Sequence, residues 1–296
     1  MKMLARRLAT AATAAAATAG SVVGVQVLTA PPAAAALNAE IYTAPSPRNS
    51  ESYRFVAAYC PPGKKVLGGG GRLFGGEKGV ALQSLYPFSG SASTGDGYAA
   101  QALESNAGFS GDWYLRAYVV CGDRPSGWEI RYSGGTSLPT GARSKRATVR
   151  CSAGKVVLGT GGVVGDVHRG VSFASVTPTQ EEVSVVGTED PTDSFPIPSN
   201  FGVGAWAVCA AKPSGHQILW DYSSRSSDSG IGNHSRCAGS RKILGVGLLN
   251  GSDGTAHTYS MWPYKNSSSH NGVVDTRLWK TTQRTWTVGA ASICAY

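Results

Sequence analysis

Charge is scarce in this chain. Asp, Glu, Lys and Arg make up 15% of its 296 residues, against about 25% in an average soluble domain. No segment carries a 3.6-residue apolar stripe, so helices are not predicted. No uninterrupted apolar run reaches the ~20 residues of a membrane-spanning helix. There is no Cys-x-x-Cys pair, which removes the common zinc and thioredoxin-like motifs. The glycines Gly68 to Gly71 are not followed by Gly-Lys-Ser/Thr, and Gly159-Thr160-Gly161 lacks the rest of a dinucleotide fingerprint, so phosphate-cradling loops are absent. No Gly-x-Ser-x-Gly elbow occurs. With only 5 histidines, imidazole chemistry has few candidates.

What the chain has is glycine, 39 residues of it, roughly twice the usual share. Ser, Thr and Val accompany it, and Ala crowds into the first 36 residues. That balance is too apolar and aromatic for disorder and belongs to many-stranded proteins.

The N-terminus reads as an export signal. Lys2, Arg6 and Arg7 form a basic start without acidic residues, a mildly apolar stretch runs from Leu8 to Leu28, and Ala33 to Ala36 supply a small-residue cleavage site. The Ala/Thr-rich leader resembles those of high-GC Gram-positive bacteria. Cleavage is expected after Ala36, with Ala35 as the alternative, giving a secreted, extracellular protein with no membrane attachment. Arg6-Arg7 leaves the Sec and twin-arginine routes both open. Setting the three leader cations aside lowers the formal charge from +9 to +6.

The remainder is one unit written three times. Cys60 opens Cys-Pro-Pro-Gly-Lys-Lys-Val-Leu-Gly-Gly-Gly, Cys151 opens Cys-Ser-Ala-Gly-Lys-Val-Val-Leu-Gly-Thr-Gly, and Cys237 opens Cys-Ala-Gly-Ser-Arg-Lys-Ile-Leu-Gly-Val-Gly. Leu67, Leu158 and Leu244 align, with Gly68, Gly159 and Gly245 behind them. Ser-x-x-Pro recurs at Ser84/Pro87, Ser175/Pro178 and Ser260/Pro263. Each unit ends on a second Cys (121, 209, 294), preceded at eight residues by Trp113, Phe201 or Trp286 and at four by Ala117, Ala205 or Ala290. The connectors Pro125-Ser126-Gly127 and Pro213-Ser214-Gly215 set the boundaries: a signal peptide over 1–36, then repeats over 37–127, 128–215 and 216–296.

About five strands are expected per unit. Trp113, Leu115, Ala117, Val119 and Cys121 alternate with Tyr114, Arg116, Tyr118 and Val120, the period of a strand with one buried face. Gly75-Gly76, Gly165-Asp166 and Asn250-Gly251 fall at nearly the same offset and predict a hairpin between the second and third strands. The fold class is all-β: three homologous antiparallel units of about 85 residues, each too small for an ample core alone, arranged as one pseudo-threefold, prism-like body rather than beads.

This repeat resembles the secreted bacterial proteins built on Cys-Pro-x-Gly-Lys-Lys-Val-Leu-Gly-Gly-Gly … Ala-Tyr-Ala-Val-Cys-Ala, matched here by Cys60 to Gly70 with Ala117 to Cys121, Ala205 to Ala210 and Ala290 to Ala295. The resemblance covers nearly all of the chain behind the leader and implies no defined activity. In architecture the chain is similar to the three-sheet β-prism of vitelline membrane outer layer protein and jacalin-like lectins, although its units are longer and the Asp-Asp-Thr signature of the former is missing.

An even number of cysteines behind an export signal implies disulfides. Six allow fifteen pairings, of which threefold repetition keeps three: within each unit, across each junction, or from the second Cys of a unit to the first of the preceding one. The first is expected, Cys60–Cys121, Cys151–Cys209 and Cys237–Cys294, because each sheet would then be closed by its own bond.

Chemistry is harder to find. Asp228-Ser229-Gly230 and Thr255-Ala256-His257 are in the wrong order and context for a serine protease. Glu181-Glu182 and Glu189-Asp190 could form a glycosidase pair but read as solvated charge. His168, His216, His234, His257 and His270 share no aligned position and read as loop or rim residues, not a metal site. No cofactor is expected. Basic residues cluster only at Arg143-Ser144-Lys145-Arg146, which argues against nucleic acid. The weak candidates for ligand binding are aromatics not shared by all units: Trp128, Trp220, Tyr222, Trp262, Tyr264 and Trp279. Trp262, where the other units carry Tyr86 and Thr177, is expected to face solvent. The reading is a monomeric, non-enzymatic binding protein for glycan or an anionic envelope polymer, against a structural or protein-interaction module, a matrix component or inhibitor, and thirdly an unrecognised hydrolase.

Overall fold

The computed structural model describes residues 36–91, 94–134, 143–165, 169–191, 201–226, 230–279 and 285–296, and every regular element among them is a strand. The leader, His168 and Asp228-Ser229 lie outside the described residues.

The first repeat supplies β1 (Glu40–Pro45), β2 (Tyr53–Tyr59), β3 (Lys65–Phe74), β4 (Val80–Phe88), β5 (Gly97–Glu104) and β6 (Tyr114–Gly122). The second supplies β7 (Glu129–Ser133), β8 (Ser144–Arg150), β9 (Lys155–Val164), β10 (Val171–Pro178), β11 (Glu182–Glu189) and β12 (Val203–Ala211). The third supplies β13 (Gln217–Ser226), β14 (Ile231–Arg236), β15 (Lys242–Asn250), β16 (Ala256–Lys265), β17 (His270–Leu278) and β18 (Thr285–Ala295). Each unit therefore has six strands and not five. The unexpected one is typified by β8, whose inward positions are Lys145, Ala147 and Val149. Lys145 disguised it: what reads as a basic cluster is a strand start, with the Lys145 ammonium donating to the Phe201 carbonyl at 3.1 Å and lying 4.7 Å from that ring.

Three six-stranded antiparallel sheets result. Sheet I runs β1-β6-β3-β16-β17-β14, sheet II β2-β5-β4-β9-β12-β7, and sheet III β13-β18-β15-β10-β11-β8. Each sheet takes three strands from one repeat and three from another, so the repeats interlock in a ring and are not beads. The expected hairpin between second and third strands does not form: β3 and β4, β9 and β10, and β15 and β16 lie in different sheets. The glycine turns carry the chain from one layer to another. Asn250 does not cap a type I′ turn; its buried amide donates to the Ala256 carbonyl at 2.8 Å. The hairpins are instead β4–β5, β10–β11 and β16–β17.

The repeat motifs have identifiable jobs in this interlock. Leu67, Leu158 and Leu244 are each the extra residue of a bulge, and all three are fully buried in one cluster with Val120 and Val208. The following glycines meet backbone to backbone: a Cβ on Gly68 would fall 3.2 Å from the Gly159 Cα and 3.1 Å from the Gly245 Cα, and one on Gly245 2.8 Å from the Gly159 Cα. No side chain fits where three repeats converge. Each Ser-x-x-Pro serine follows a bulge and sits at the seam between repeats, Ser84 opposite Val163, Ser175 opposite Leu249, and Ser260 opposite Arg72.

The cysteines pair within units, Cys60–Cys121, Cys151–Cys209 and Cys237–Cys294, with no free cysteine. The reason differs from the one expected. Cys60 follows β2 in sheet II while Cys121 lies in β6 of sheet I, so each bond ties two sheets together. Loops of 61, 58 and 57 residues give each bond about 4 kcal/mol by chain entropy. Three disulfides are compatible with an extracellular protein.

Trp113, Phe201 and Trp286 are buried in the main core, as their alignment implies. His216 and His257 are also buried, which corrects the expectation of rim histidines. The His216 ring pairs with the Val157 carbonyl at 2.8 Å and the His257 ring with the Glu77 carbonyl at 3.0 Å. A backbone carbonyl and a neutral tautomer suffice to hold an imidazole in a core.

Candidate functional site

The face of sheet I turned away from the core carries an aromatic and arginine layer. Along β6, Leu115, Ala117 and Val119 point into the core, so Tyr114, Arg116 and Tyr118 point out. Along β16, Met261 points in and Trp262 and Tyr264 lie on the other face. Tyr118 and Trp262 rings approach to 5.0 Å, and Trp262 and Tyr264 rings to 5.2 Å edge to face. Arg72 of β3 sits between Phe74 and Trp262, its guanidinium carbon 4.7 Å from each ring. Beyond it Phe74 stacks on Tyr114 at 4.6 Å, with Arg116 5.1 Å from the Phe74 ring.

Next to this layer the sheet carries a cleft of about 500 Å³, within the range of small-ligand sites. Arg72, Trp262 and Tyr264 form one side; His234 and Arg236 of β14 form another. Asn271 and Val273 of β17 lie between them, and the β16–β17 turn adds Asn266 and Ser269. Asn266 is spent on that turn, its carbonyl oxygen accepting from the backbone N–H groups of Ser268 and Ser269 at 2.9 and 2.7 Å. Arg236 donates to the Ser268 carbonyl at 2.9 Å. A smaller cavity of about 240 Å³ beside Cys60, Lys64, Lys65 and Asp96 has no aromatic wall, and its Lys65–Asp96 pair at 3.3 Å is self-compensated.

The six aromatic candidates divide into two pairs and two residues that stand apart. Trp262 and Tyr264 share the cleft. Trp262 does not face solvent as expected: only 9% of it is exposed, because Tyr118 and Arg72 cover its ring. Trp220 and Tyr222 stack on β13 at the edge of sheet III, 5.7 Å apart and within 7° of parallel. They lie opposite Ala291 and Gly289, small residues that leave the rings room. Trp128 is a packing residue, donating to the Val66 carbonyl at 2.9 Å under Lys65 and Arg124. Trp279 stacks on His257 at 4.1 Å.

Sheet II has an aromatic face of its own, with Tyr86 5.1 Å and Tyr132 4.2 Å from Trp206. Tyr86 aligns with Trp262 and Trp206 with Tyr118, so the Trp/Tyr pair is inverted between the two sheets; in sheet III the same positions are Thr177 and Ala291. The arginines have no such echo. Arg72 aligns with Val163 and Leu249, and Arg116 with Gly204 and Gly289. The unshared arginines are as visible in the repeat alignment as the unshared aromatics, and they complete the layer that the aromatics alone do not define.

Acid–base groups gather elsewhere. His257 is held far below its usual range, to about 3, by burial. Burial raises the Asp275 carboxyl, with Arg72 opposing, and pushes the Tyr259 phenol up to about 12. Glu182 and Glu189 stand at opposite ends of β11, about 23 Å apart at ordinary strand rise, too far for a glycosidase pair. Glu182 instead binds Arg150 at 2.8 Å. No group of three or more metal-ligating side chains occurs among the described residues.

No family model matches the chain, and no curated protein matches it.

Proposed function

We propose that the protein is exported and binds a glycan of the cell envelope through the sheet I cleft, without turning it over. The carrying observation is the pairing of Trp262 with the 37% exposed Tyr264 on the wall of a cleft that also offers amide, hydroxyl and guanidinium groups. Sugar rings present C–H faces to aromatic side chains and hydroxyls to polar ones, and few other ligands ask for both at once. The leader, the three disulfides and the resemblance to secreted repeat proteins support export. The test is a glycan array probed with wild type and Tyr264→Ala. Tyr264 is exposed, so its loss should leave the fold intact and abolish binding; equal binding by both proteins contradicts the reading.

A second reading, a structural or protein-interaction module, is favoured by β2. This edge strand exposes Tyr53, Phe55 and Tyr59 on one side, at 42%, 48% and 51%. An open edge with an aromatic face is a template for a partner strand. Phe55→Lys should abolish such pairing while leaving glycan binding unchanged.

A further inference from the structure

We infer that the cleft takes an anionic saccharide unit, one bearing a carboxylate or a phosphate, held between Arg72 and Arg236; this rests on the glycan reading above. The residues lining the cleft include two arginines and no Asp or Glu. Neither arginine makes an ion pair within 4 Å among the described residues. Asp275, on whose carboxyl Arg72 acts electrostatically, stands outside the lining. Arg236 uses one N–H on the Ser268 carbonyl, leaving most of its five donors unspent.

The local build points the same way. The Phe74 and Trp262 rings each lie 4.7 Å from the Arg72 guanidinium carbon and hold at the cleft wall a group whose N–H donors grip a carboxylate or phosphate through paired bonds. Trp262, whose ring backs the Arg72 guanidinium, is itself part of the cleft wall. The fold does not require these groups, since Val163 and Leu249 replace Arg72 in the other repeats.

The inference is tested by calorimetric titration of the full mature chain with tri-galacturonate, its fully methyl-esterified neutral analogue, and a phosphorylated mannotriose. At least one charged probe should bind at least tenfold more tightly than the ester, and which one identifies carboxylate or phosphate. Arg236→Gln, at an exposed position, should lose about tenfold for that probe and nothing for the ester, as removal of one charge-assisted bond does. Trp262→Phe, which keeps one aromatic ring but removes much of the indole surface that backs Arg72, should weaken the charged probe several-fold. Equal binding of acid and ester overturns the anionic inference and leaves the glycan reading standing. Binding of the ester alone does the same. Failure of all three probes overturns the inference, and the glycan reading then falls only if the array is also blank.

Discussion

The indole ring of Trp262 lies 5.0 Å from the phenol ring of Tyr118, although the two residues come from the third and first repeats. Their contact exists because β16 and β3 join two repeats into one sheet, which places the β6 and β16 side chains on one surface. Trp262 is therefore both a seam residue and a cleft residue. Trp262→Ala should destabilise the protein by about 2–3 kcal/mol. Trp113→Ala should cost about 3–5 kcal/mol, since Trp113 is fully buried and core aromatics lose that much. Urea titrations of both variants check the order; a silent Trp262→Ala would show that the seam contact carries no energy.

Interlocking also governs what a repeat can do alone. In the intact chain β9 pairs with β4 of the first repeat and β10 with β15 of the third. Residues 128–215 expressed by themselves would present both of these inner strand edges to water, along with apolar surface meant for neighbours. The fragment should be unfolded or self-associated by circular dichroism and sedimentation. A monomeric fragment with a cooperative melt contradicts the interlocked description.

Acid should destabilise the fold through its buried histidines. His257 is kept neutral in the folded state down to about pH 3 by burial, and burial lowers His216 as well. In the unfolded chain both protonate near their ordinary ~6.5. Below that pH the unfolded state binds more protons, so stability falls as pH falls, by at most about 1.4 kcal/mol per unit for a histidine charged only in the unfolded chain. The contribution of His257 is fully present above pH 6.5 and is lost progressively toward pH 3. His257→Phe should flatten the acid limb of a stability–pH profile between pH 6 and 4. An unchanged slope would mean that His257 is protonated in the folded state.

The sequence made the repeats legible because interlocking imposes the same local demands three times. Leu67 and Gly68, Ser84 and Pro87, and Trp113 recur at fixed offsets because bulge, axis, seam and core each tolerate few residue types. Pairing partners were not legible. A glycine turn such as Gly75-Gly76 serves a hairpin or a crossover between layers equally well, and only the position of β16 beside β3 decides it. Lys145 hid β8 because an inward lysine needs a distant carbonyl, that of Phe201, to be tolerable. Trp262 was misplaced for a related reason: Tyr86 and Thr177 at the aligned positions suggest a permissive surface, but Tyr118 varies with it to Trp206 and Ala291. The cleft itself depends on side chains from four strands and a turn, which no single segment announces.

The most direct measurement uses the tryptophans themselves. The chain has 7, and each gives one indole N–H signal in a nitrogen-15 correlation spectrum. Titrated with the oligosaccharide that binds most tightly on the array, the protein should shift the Trp262 signal strongly, because Trp262 forms part of the cleft wall. Trp113 and Trp286, bonded in the core to Glu104 and Thr276 at 3.3 and 3.2 Å, should stay in place, as should Trp206 and Trp220 on the other sheets. Movement of Trp206 or Trp220 with Trp262 still would contradict the cleft as the binding site.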